Sequence, residues 1–392
     1  MHGKRFGRPQ LYALLLLSAF VLQSLWVIHR RPLRREEAAY AQAGLDQLAG
    51  KFSLRDIGAL PVPSVVAAAP LLVVHQLTPS FSLEHLKWFL RLPFVAIGWL
   101  LGVSVWYVAR RLYGNAGGYT ALTLYCFSPA VFFPWPGPLL TGSLGMFGTI
   151  FVAIAAAHTL YAPRAASIAE LASRWRRIML LGLSIALAAG SGFWGFSLVL
   201  LGLGFMLYLV PECRFIAAAL VLSACVIAAI LLLACFGFHP RRLLEAVDQA
   251  SWLPPPEMIA GAVLRTYVNG IRYAENALLL VLTAVALVTY FGWRRCRYFG
   301  NTAPLLCVVL LTALGLAVFP DVLVGPFPFR ATPFLYVFIG GVFADLLESR
   351  FRKAFGLVLL GLLAAYATVS VMTTARLGDS MSLIVDGAWV DG

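Results

Sequence analysis

Arg35-Glu36-Glu37-Ala38-Ala39-Tyr40-Ala41 follows closely on an apolar run, 10–29, that is long enough to cross a bilayer. Adjacent carboxylates where a chain leaves lipid are unusual, and the rest of the composition shows why they stand out. Hydrophobic residues make up 61% of the 392 and charged residues only 12%, with a mean hydropathy of +0.85, so lipid is the solvent for most of the chain. The fold class that follows is all-α, a polytopic helical membrane protein.

Apolar stretches at 10–29, 88–109, 116–133, 139–161, 177–191, 194–210, 215–237, 276–293, 302–320, 331–347 and 355–374 predict about eleven transmembrane helices. The stretch 61–77 is apolar as well, yet short and interrupted by Pro61, Pro63 and Pro70. Loop charges decide its placement. With 61–77 lying along the interface, Lys4/Arg5/Arg8, Arg110/Arg111, Arg164/Arg174/Arg176/Arg177, Arg294/Arg295/Arg297 and Arg350/Arg352/Lys353 share one side, which is then cytoplasmic. The short opposite connections, 134–138 and 191–193, carry no Lys or Arg. Counting 61–77 as a span would put the later basic clusters outside. Arg30, Arg31, Arg34 and Arg35 oppose this orientation, and the later loops outvote them.

The expected organisation is one transmembrane domain over 1–392 with a cytoplasmic N-terminus. Two large extracytoplasmic segments are expected: 30–87, with two interfacial helices, and 238–275. The N-terminal basic and apolar regions are like those of a signal peptide, but the apolar run continues to Ile28, long enough to remain as an anchor.

A net charge of +13 in such a chain records topology and contact with anionic membrane lipids rather than nucleic acid. Lysine occurs only at Lys4, Lys51, Lys87 and Lys353, an arginine-dominated usage that points to a GC-rich bacterial genome and hence to a bacterial cytoplasmic (inner) membrane. The six cysteines lie in or beside apolar segments without metal-ligand spacing, so neither a disulfide framework nor a zinc site is expected.

Residues 36–48 read as an amphipathic interfacial helix, with Ala38, Ala41, Leu45 and Leu48 on one stripe. Two readings of Glu36 and Glu37 stand at this point. A partly desolvated carboxylate can serve as a general base near neutral pH. An acidic helix start also suits the helix dipole and pairs with Arg34 or Arg35. Arg91, at the outer end of the next span, either snorkels to head groups or holds a lipid phosphate. The 238–275 segment offers Arg241 and Arg242, whose forked donors match phosphate, and Tyr267, whose ring suits a sugar or head group. Arg330 is a lone cation at the outer mouth of a span after a proline-stiffened loop, either an anion contact or a helix anchor.

The order of these segments resembles that of the lipid-dependent glycosyltransferases of the GT-C fold, especially the protein O-mannosyltransferase and lipid A aminoarabinose-transferase type. The residues that carry the likeness are Glu36-Glu37-Ala38-Ala39-Tyr40-Ala41, Val62-Pro63, Arg91-Leu92-Pro93, Ala109-Arg110-Arg111-Leu112-Tyr113-Gly114, Ser128-Pro129 and Pro328-Phe329-Arg330-Ala331-Thr332-Pro333. The resemblance implies an extracytoplasmic site, a polyprenyl-phosphate-sugar donor, inversion at the anomeric carbon, and a hydroxyl of a lipid, glycan or protein as acceptor. By position it puts the base on Glu36 with Glu37 beside it. Arg330, Arg241, Arg242 and Arg91 would hold the donor phosphate, and Tyr40 and Tyr267 would line the substrate.

No cofactor is expected, and one acidic pair does not assign a divalent metal. The chain departs from the family pattern at four places. Glu36 replaces the leading Asp and Val62 a lysine; Leu140-Thr141-Gly142-Ser143 lacks the second carboxylate, and Gly190-Ser191-Gly192 stands for Thr-Lys-Gly. Those departures keep a second function in view, a non-catalytic GT-C-like protein that binds a lipid carrier or assists a partner. A transporter fits less well, because the spans hold almost no ionisable residues along a pathway.

Overall fold

The computed structural model describes residues 8–31, 35–49, 62–77, 83–128, 175–190, 199–200, 214–249, 274–318, 323–324, 327–328 and 331–380. These form helices α1 (Arg8–Arg30), α2 (Arg35–Leu48), α3 (Val62–Leu77), α4 (Leu83–Cys126), α5 (Trp175–Gly190), α6 (Arg214–Cys235), α7 (Pro240–Gln249), α8 (Ala274–Gly292), α9 (Phe299–Val318), α10 (Thr332–Leu347) and α11 (Arg352–Ser380). A short 3-10 turn, Arg294–Cys296, follows α8, and the strands Leu323–Val324 and Phe327–Pro328 pair antiparallel. The expected spans 139–161 and most of 194–210 lie outside the described residues.

Among the described residues four helices are long and apolar enough to cross a membrane: Pro9–Arg30, Lys87–Cys126, Ala218–Cys235 and Arg352–Arg376. Long and shorter apolar helices alike turn apolar faces outward. Leu222, Val226 and Ile230 on α6 and Val281, Val285 and Val288 on α8 form exposed stripes at helical spacing. Such stripes would drive aggregation in water and are satisfied by lipid. The chain is a multi-pass helical membrane protein.

α4 is two limbs. Gly114 interrupts it at φ 73°, ψ −167°, a conformation essentially confined to glycine. Beyond it the chain doubles back: the Tyr125 hydroxyl donates to the Gly98 carbonyl at 2.6 Å, and a Cβ on Gly118 would meet Arg110 Cβ at 2.8 Å. The Arg110-to-Gly114 segment is therefore a helical hairpin joining two expected spans.

The chain packs as two compact units, one of 1–32, 98–133 and 253–392 and the other of 33–97 and 134–252. The division falls inside α4. The first unit is built on α10, whose residues Leu335 to Ala344 are all buried, so it is apolar on every side and lies at the core. Gly340 and Gly117 let α10 and the second limb of α4 approach backbone to backbone, since a Cβ on Gly340 would meet the Gly117 carbonyl at 2.7 Å. Tyr336 donates from the same helix to Ser128 Oγ at 2.8 Å, so its buried hydroxyl is satisfied.

In the second unit α5 and α6 pack through Leu181, Ile185, Leu220 and Ala224, while α2 lies closely along α3. At 16 residues α3 is about 24 Å long, shorter than the hydrocarbon core of a bilayer.

Candidate functional site

The buried face of α2 differs from the expected stripe. Glu37, Ala41 and Gly44 are buried while Leu48 is 44% exposed. The reason is close approach: a Cβ on Gly44 would collide with the Ser64 carbonyl and stand 2.6 Å from Ala68 Cβ. Small residues, Ala41 and Gly44 on one side and Ser64, Ala67 and Ala68 on the other, do the packing, and the larger leucine faces outward.

That face carries Glu37 into contact with Arg91. Arg91 Nε donates to Glu37 Oε1 at 3.0 Å and Nη2 to Oε2 at 2.7 Å, with both side chains 4% exposed. This is the forked, two-bond geometry in which arginine binds carboxylate most strongly. Neither charge survives burial without the other, so the pair pins the start of α2 to the opening segment of α4. The sequence reading placed these two residues in separate roles, and the structure brings them together.

The other end of α2 is also tied. Gln47 Nε2 donates to the Cys235 carbonyl at 2.6 Å, satisfying a terminal carbonyl of α6. Just beyond, Gly237 (φ 60°) and Phe238 (φ 58°) turn the chain left-handed; the Phe238 amide reaches the Leu233 carbonyl at 2.8 Å and the Gly237 amide that of Ala234 at 3.0 Å. This paired reversal is how many helices end, and it launches α7 with Arg241 exposed and Arg242 half-buried. Along α2, the α6–α7 corner stands at the end opposite Glu37, about 15 Å away along the axis. The structure joins Arg91 to Glu37 and ties the Arg241–Arg242 corner to the far end of the same helix.

Glu36 and Tyr40 lie on α2, but their side chains, together with Arg330 and Tyr267, are outside what the structure describes. Among the described residues no group of three or more His, Cys, Asp or Glu could hold a metal ion. Cys296 carries no reactive thiolate: burial, then the Asp345 charge, pushes its thiol up to about 12.

A multi-pass helical membrane protein with an acidic helix clamped to the first limb of a helical hairpin is the class these features define. No protein-family model and no curated protein matches the sequence. Solved structures do. The Archaeoglobus fulgidus oligosaccharyltransferase, tethered with an acceptor peptide containing the NVT sequon, superposes with a TM-score of 0.55 at 12% identity, over 95% of this chain and 55% of that one. ArnT from Cupriavidus metallidurans, bound to undecaprenyl phosphate, superposes with a TM-score of 0.52 at 13% identity, over 95% of this chain and 77% of that one. The chain spans little more than half the length of the oligosaccharyltransferase. At these identities the likeness is one of fold, and the fold is GT-C-like.

Proposed function

We propose that this protein is a membrane glycosyltransferase that moves a sugar from a polyprenyl-phosphate donor onto a hydroxyl of a lipid, glycan or protein at the extracytoplasmic face of a bacterial inner membrane. The observation that carries the reading is the bidentate Glu37–Arg91 pair on the acidic helix of a GT-C-like fold. The ArnT neighbour's undecaprenyl phosphate supports a donor of that chemistry.

In this reading Glu36 is the general base. It takes the proton of the acceptor hydroxyl as the oxygen attacks the anomeric carbon from the face opposite the phosphate. The anomeric C–O bond breaks, the electron pair leaves on the polyprenyl phosphate, and the configuration inverts. Glu37 and Arg91 act one step back. With Nε and Nη2 committed to Glu37, the Arg91 guanidinium fixes where α2 stands, and so where Glu36 stands. Positioning of that kind is worth a great deal, because a displacement near 1 Å can lower a rate about a hundredfold. Within the second unit, phosphate contact then falls to Arg241 and Arg242, and Tyr40 lines the substrate.

The test is release of free polyprenyl phosphate by the purified protein in vesicles supplied with polyprenyl-phosphate-linked sugars and membrane acceptors. Release that depends on acceptor supports transfer. Saturable binding of the carrier with no release under any acceptor supports the second reading, a carrier-binding partner protein, which the acid-free Leu140-Thr141-Gly142-Ser143 stretch favours.

A further inference from the structure

At the end of the first unit where the α4 hairpin turns, three separate stretches of arginine are locked side by side. The Tyr113 hydroxyl donates to the Gly300 carbonyl, tying the hairpin to the start of α9. Arg295 Nη2 donates to Glu348 Oε2 at 3.0 Å, tying the 3-10 turn to the α10–α11 corner. Asn301 Nδ2 donates to Asp345 Oδ2 at 2.8 Å and to the Cys296 carbonyl at 3.0 Å, holding the same two stretches from within. The two acids on these joined stretches, Asp345 and Glu348, are thus both engaged by neighbouring donors. Exposed Glu348 is neutralised by Arg295, and the exposed charges beyond that pair are cationic: Arg111, Arg294, Arg350, Arg352 and Lys353.

Apolar rings stand among them. Phe351 is 67% exposed and Phe299 42%, on the same corner and the same helix start as the cations. Aromatic rings interleaved with arginine at the ends of apolar helices suit the boundary between head groups and acyl chains. Forked guanidinium donors in turn suit phosphate.

We propose that this end of the first unit is a binding site for anionic phospholipid, the arginines of the 3-10 turn and of the α10–α11 corner holding the phosphate and Phe351 and Phe299 seated in the acyl region beneath. The site is distinct from the acidic helix, and it stands whether or not the protein transfers sugar.

The test uses the full chain purified in neutral detergent and offered phosphatidylglycerol and phosphatidylcholine in equal amount, with retained lipid counted by mass spectrometry. Phosphatidylglycerol is expected to be retained preferentially. The triple variant Arg350→Gln, Arg352→Gln, Lys353→Gln should lose it by roughly tenfold or more, as removal of several cations from a lipid contact demands. Equal retention of the two lipids by the wild-type protein, or unchanged phosphatidylglycerol on the triple variant, overturns the site. Should the triple variant fail to fold, wild-type protein decides: phosphatidylglycerol retention should fall when salt rises from about 0.1 M to about 1 M, across which the screening length shrinks about threefold. Salt-independent retention contradicts the proposal.

Discussion

Two arginine–glutamate pairs in this protein use the same atoms and do opposite things. Arg91–Glu37 closes at 2.7 Å with both side chains 4% exposed, whereas Arg295–Glu348 closes at 3.0 Å with 56% and 67% exposed. In water an ion pair gains little, because each partner was already well solvated. Out of water the pair is obligatory, because removing one partner strands the other. The buried pair therefore dictates where α2 sits, and the exposed one only steadies a corner.

The largest effect expected follows from stranding one charge. Arg91→Ala or Glu37→Ala should each destabilise the protein by about 3–5 kcal/mol, read as a lowered melting temperature in detergent. Loss of under about 1 kcal/mol from either would erase the contrast between the pairs. Replacing both partners sharpens it: Glu37→Leu with Arg91→Met should regain most of the lost stability, as apolar replacement of a buried pair commonly does. Transfer should stay low in that double variant, because an apolar contact does not reproduce the two-bond geometry. Full transfer together with full stability would show that the pair has no positioning role.

A smaller effect is expected from the packing that seats the same helix. Gly44→Leu drives a side chain into Ser64 and Ala68 and should cost about 1–3 kcal/mol, with α2 displaced and transfer reduced. An unaltered melting temperature would mean that α2 is held by the ion pair alone. The smallest effect belongs to the exposed pair. Glu348→Gln should change stability by less than about 1 kcal/mol, and by less still at high salt.

The fold was largely legible because its signals are long-range averages. Apolar runs mark α1, α6, α8, α9 and α11, and the Arg110-to-Gly114 segment announces a turn that Gly114 makes with a backbone conformation that other residues avoid. The site was legible only in part. Sequence order placed Glu37 and Arg91 in one neighbourhood, but nothing in either segment says that the two side chains meet, since the contact joins residues 54 positions apart. The α2 stripe misled for a related reason. Apolar counting favours Leu45 and Leu48, whereas membrane helices pack on their smallest residues, so Ala41 and Gly44 face inward and Leu48 is left exposed. The i, i+4, i+7 spacing of Glu37, Ala41 and Gly44 was the signal that could have revealed the true face.

The most direct measurement is the rate of sugar transfer by Glu36→Gln set against wild type, with melting followed on the same samples. If Glu36 is the base and the Glu37–Arg91 pair only holds it in place, the rate should fall by about a hundredfold or more while the melting temperature stays put. Wild-type turnover by a folded Glu36→Gln protein would contradict the account.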